Sequence, residues 1–125
     1  MIAPEVATLL ETVPEFVDRF LDLTEAADGD PGGPAAFTEL ADFVATLLSR
    51  RSPSHGVLSR CLACVERVAR ESDDADELVC WSFLDSLCPE DLRRVAPWLG
   101  PRTLALAEEL EASSVDRRSV LDERL

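Results

Sequence analysis

The chain has 125 residues, 46% of them apolar, with 12 basic and 25 acidic side chains and a formal net charge of −13. That is one domain's length, enough to bury roughly two thirds of the unfolded surface without a disulfide or metal staple. The charge argues against nucleic acid and anionic membranes, which need a basic stripe, and the apolar content argues against a disordered acidic tail.

Every basic residue except His55 is arginine; lysine, asparagine, glutamine and tyrosine are absent, and Ile2 is the only isoleucine. This is the codon bias of a high-GC, bacterial-type genome, so the missing lysine carries no mechanistic message. The opening MIAPEVATLLET has no basic region and meets acid at Glu5, unlike a signal peptide. No apolar run reaches membrane-spanning length. A cytoplasmic protein with reduced thiols is expected.

In chain order the hydrophobic spacing is helical throughout. Pro4, Pro14, Pro34, Pro53, Pro89 and Pro101 each precede an apolar repeat, the first-turn position where a missing N–H costs nothing. Helices are expected near 4–13, 14–27, 34–50, 54–70, 74–88, 89–98, 101–112 and 115–123, with Pro97 ending or kinking one of them. Ser52, Ser72 or Asp73, and Ser113 or Ser114 are candidate N-caps. The expected fold is all-α: one domain over 1–125, an irregular bundle or short hairpin stack of about seven to eight short helices.

The second helix pairs a Phe16, Val17, Phe20, Leu21 stripe with a line of acid, Glu15, Asp18, Asp22 and Glu25. Like charges at this spacing cost a few tenths of a kcal/mol per pair, which a cationic partner would relieve. The DGDPGGP linker follows. Read as a calcium loop, Asp28–Glu39 has acid at positions 1, 3 and 12, but Gly32 brings no ligand and Pro31 and Pro34 stiffen the path. A solvated turn is the simpler reading.

Phe37, Leu40, Ala41, Val44, Leu47 and Leu48 form a full helical stripe, repeated by Val57, Leu58, Cys61, Leu62, Cys64, Val65 and Val68. His55, the one histidine, begins that helix and has no partner for a triad or metal motif. Cys61 and Cys64 form a C-x-x-C, followed by Cys80 and Cys88. If Cys80 and Cys88 share one helix they lie about 12 Å apart along its axis. Four thiolates on one zinc at about 2.3 Å lie far closer, and WSFLDSL contains no breaker. Cys61 also sits too deep in its helix for a thiol activated at an N-terminus. All four cysteines are therefore expected as buried, apolar filler.

Glu71, Asp73, Asp74, Asp76 and Glu77 form a second acidic cluster, part of it explained by a helix N-terminus. Leu78, Val79, Cys80, Trp81, Phe83, Leu84, Leu87 and Cys88 then cover most of a helix's circumference, which predicts a central helix. The closing SVDRRSVLDERL is weakly amphipathic through Val115, Leu121 and Leu125. It is compatible with docking, pairing with a second copy or fraying, so oligomeric state is left open.

VCWSFLDSL (79–87) and WLGP (98–101), with VPEF (13–16), resemble a pattern of small all-helical bacterial proteins in which V-x-x-S-F-L-[DE]-x-L is followed by a Leu-Gly-Pro helix start. Val79, Ser82, Phe83, Leu84, Asp85, Leu87, Leu99, Gly100 and Pro101 carry the match. The resemblance implies immunity proteins of bacterial toxin systems, and no catalytic residue. The expected function is a non-enzymatic acidic module without cofactor or metal. It would bind a basic protein partner through Glu15, Asp18, Asp22, Glu25, Glu71, Asp73, Asp74, Asp76 and Glu77. The alternatives are a helical adaptor or regulatory subunit, and a thiol or metal sensor using Cys61 and Cys64.

Overall fold

Prolines open the helices as their spacing predicts. In the computed structural model, which describes residues 3–50, 54–71 and 73–123, α1 spans Pro4–Thr12. A 3-10 turn, Pro14–Phe16, leads into α2 (Val17–Ala27). Then come α3 (Gly33–Leu48), α4 (His55–Glu71) and α5 (Asp73–Leu78). A π-helical turn (Val79–Phe83) and a 3-10 turn (Leu84–Ser86) separate α5 from α6 (Pro89–Val95). A last 3-10 turn holds Pro97, and α7 runs from Pro101 to Glu123. The fold is an all-α irregular bundle with no strand among the described residues.

Two expectations are corrected. The helices expected at 101–112 and 115–123 are one continuous α7, so no new helix starts after Ser113 or Ser114. The single helix expected at 74–88 is three segments. The chain has no glycine or proline there; one tertiary bond and one local bond hold the irregular turn instead. The Thr38 hydroxyl on α3 donates to the Ser82 carbonyl at 3.1 Å, and the Ser86 hydroxyl donates to the same oxygen at 2.9 Å. Carbonyls released from a regular ladder need such partners. Pro53, Ser52 and Ser72 lie outside the described residues, as do the side chains of Asp73, Val115, Leu121 and Leu125. Ser54 caps α4, its Oγ accepting from the Val57 N–H at 3.4 Å.

One apolar core joins these elements. α4 packs against α1, α3, α5 and α7, and α3 lies against the π turn. The α3 stripe is wholly buried, and the α4 stripe is buried except at Val57, which is partly covered. Phe16 meets Phe43 edge-on at 5.8 Å between ring centres. The apolar run at 79–88 divides: Val79, Phe83, Leu84 and Leu87 are buried, but Trp81 is 53% exposed and Cys88 is exposed. It is therefore a wall of the bundle, with one face to solvent, and not its centre.

Polar clamps finish the packing. Arg19 of α2 lies over the Phe43 ring and donates to Glu39 (3.1 Å), Asp42 (2.8 Å) and Thr46 (3.2 Å) of α3. Arg94 of α6 donates to the Leu48 carbonyl at 2.6 Å, satisfying the open C-terminus of α3. Gly100 precedes α7 and brings no capping side chain. Glu66 of α4 supplies the cap, accepting from the Thr103 N–H (2.8 Å), the Thr103 hydroxyl (2.8 Å) and the Arg102 N–H (3.2 Å). A Cβ on Gly100 would stand 2.3 Å from Glu66 Cγ, so glycine is what lets the carboxylate in.

Candidate functional site

The π turn decides which side chains face out. Val79 and Phe83 both point into the core, and Trp81, two residues from each, stands on the opposite side of the widened turn. It forms a ridge between two clefts. On one side a cleft of about 680 Å³ is lined by Pro4 and Glu5 of α1, Pro34 of α3, Glu71 of α4, and Asp74, Glu77 and Leu78 of α5. Its lining holds the carboxylates of Glu5, Glu71, Asp74 and Glu77 and, among the described residues, no basic side chain. On the other side a cleft of about 340 Å³ is floored by Cys80, Leu106 and Leu110, with Glu109 and the Asp76–Arg102 pair at its edge.

The predicted acidic residues sort into three groups. Glu71, Asp74 and Glu77 come together in the larger cleft. Asp18, Asp22 and Glu25 are exposed on α2, away from it. Glu15 and Asp76 are engaged within the fold. The Arg60 guanidinium takes both Glu15 oxygens, one at 2.7 Å, and this bond holds the Glu15 carboxyl below its usual range. Asp76 is 9% exposed and accepts two bonds from Arg102, one at 3.1 Å, so its carboxylate braces α5 against α7. The Asp73 side chain lies outside the described residues.

Glu5 is not among the candidate site residues expected from the sequence and joins the site from α1, near the start of the chain. Gly33 makes room for it: a Cβ there would lie 2.6 Å from Glu5 Oε1. The signal available in the sequence was only a glycine at the start of α3.

Comparison with family models, curated proteins and solved structures returns no match. The site therefore rests on its own chemistry.

The thiols give it no reactive centre. Cys61 and Cys64 are buried; desolvation, reinforced for Cys61 by its neighbour Cys64, pushes their pKa values up to about 12 and about 11. Such thiols stay protonated and inert at neutral pH. Cys80 is half-buried and its pKa is also raised, first by desolvation and then by Asp85 and Glu109. The expectation of four buried cysteines fails in part at the half-buried Cys80 and wholly at Cys88, whose Sγ accepts from the Asp91 N–H at 3.5 Å as the N-cap of α6. The unbroken helix used to separate Cys80 from Cys88 is also absent. No three metal-binding side chains among the described residues are placed to hold an ion. No helix among them is long and apolar enough to cross a membrane. His55 sits against Trp98, ring centres 5.6 Å apart, at the foot of α4.

Proposed function

We propose that the protein is a non-enzymatic acidic binding module for a basic protein partner, and that it works as a cytoplasmic immunity-type protein that occludes a cognate toxin. One observation carries this reading. An exposed tryptophan stands on a wall of the bundle beside a cleft whose charged lining, among the described residues, is entirely acidic. Exposed aromatics supply contact area at protein interfaces, and a field of one sign speeds encounter with the opposite sign. The exposed α2 carboxylates Asp18, Asp22 and Glu25 add to that field at longer range. The resemblance of VCWSFLDSL and WLGP to the pattern of small all-helical bacterial proteins that look like immunity proteins points to the same class.

The test is the chemistry of the partner. The tagged protein is purified from its host, the bound protein identified, and the complex remade from pure components at several salt concentrations. A basic toxin domain whose association slows steeply with salt is the expected result. A neutral or acidic partner, or association indifferent to salt, refutes the proposal.

A further inference from the structure

We propose that the Trp81 cleft takes an arginine side chain of the basic partner, its guanidinium stacked on the indole and its N–H groups on the neighbouring carboxylates. This rests on the reading above and goes beyond it, naming the contact and the residue type. Three observations converge. Trp81 is the most exposed aromatic side chain among the described residues that lines a cleft, with about half of it open to solvent. Glu5, Glu71, Asp74 and Glu77 line that cleft from three elements, without a basic residue among them. Two arginines of the surrounding helices are committed elsewhere: Arg102 to Asp76, and Arg70 to Glu66 at 2.6 Å. Cation–π attraction adds to carboxylate pairing at such a place.

The same geometry selects arginine over lysine. A guanidinium is planar, so it can lie flat on an indole while its edge donates two parallel bonds to a carboxylate. An ammonium is a compact, strongly hydrated charge and can do only one of these well. The smaller cleft beyond Trp81, floored by Leu106 and Leu110, would take the apolar neighbour of that arginine.

Trp98→Phe leaves Trp81 as the one fluorophore. In that background the emission is titrated at low ionic strength with a capped tetra-arginine peptide and with its tetra-lysine counterpart. The expected result is a saturable change with arginine and binding about fivefold weaker with lysine, the equivalent of one cation–π contact. The Asp74→Asn/Glu77→Gln pair weakens arginine binding at least about fivefold, whereas Asp18→Asn/Asp22→Asn changes it less than about twofold. Trp81→Leu, followed by calorimetry, shows a loss like that of the cleft pair. Unsaturable titration, equal affinity for lysine, or equal loss from the α2 pair overturns the site. Those outcomes leave the basic-partner reading to its own test, because a basic protein can still be bound elsewhere on the surface. A neutral natural partner would sink that reading while leaving the peptide result intact.

Discussion

Replacing Gly100 by alanine tests whether α7 is capped from another helix. The three atoms nearest to a Cβ at this position all belong to Glu66, at 2.3 to 2.5 Å. No real Cβ tolerates that approach, so the Glu66 side chain must leave. It then abandons the Thr103 N–H, the Thr103 hydroxyl and the Arg102 N–H. A lost N-cap costs about 1 kcal/mol. Bonds to a charged acceptor carry about 1.5–3 kcal/mol each in mutational series, reduced here because water can reach part of the site. A total of about 2–3 kcal/mol is expected for Gly100→Ala, and about the same for Glu66→Ala. The double variant decides the matter. Without the Glu66 carboxylate there is nothing for the new methyl to strike, and a modest gain from the stiffer unfolded chain offsets alanine's poor capping. Gly100→Ala in the Glu66→Ala background should therefore lie within about 0.5 kcal/mol of neutral. Urea unfolding of the four proteins measures this cycle. An equal cost in both backgrounds refutes the borrowed cap.

The Glu66 cap also predicts a pH dependence. Partial burial resists ionisation of Glu66, but the Thr103 and Arg102 N–H groups, the Thr103 hydroxyl and Arg70 outweigh it and hold the pKa below the ordinary 4.5. Its stabilisation is thus fully present above that value and lost as pH falls through the depressed pKa; the stability gap between wild type and Glu66→Gln should close over that range. Thiol labelling of native protein at pH 8 should modify Cys88 first and Cys80 more slowly. Cys61 and Cys64, with about one thiolate in ten thousand and one in a thousand at that pH, should react only on unfolding, as mass spectrometry would show. Arg94→Ala should cost about 1 kcal/mol in urea unfolding, since the Leu48 carbonyl loses its donor.

Much of the fold was legible because its determinants are local. Each described helix-opening proline stands at or beside a start, and the Phe37–Leu48 stripe is buried to the last residue. What escaped was long-range. The turn at 79–86 has no breaker of its own; it owes its shape to Thr38, 44 residues from Ser82. Asp76 read as surface acid until Arg102, 26 residues on, enclosed it. Trp81 read as core because a local count sees only that its neighbours are apolar. Of the acidic site, the α5 half was visible as a charge run, while Glu5 was not, since only the packing of α1 on α3 carries it there.

The clamp centred on Arg19 has a consequence for motion. Phe20 is the one fully buried residue of α2, and the guanidinium bonds to Glu39, Asp42 and Thr46 add to its packing against α3. Ions weaken such bonds and leave the apolar interior untouched. Amide hydrogens of α2 should thus exchange with deuterium faster as salt rises, in an opening independent of global unfolding, while those of α3 and α4 keep their pace. That result would make the exposed carboxylates of α2 the part of the surface whose position responds first to the surrounding ions.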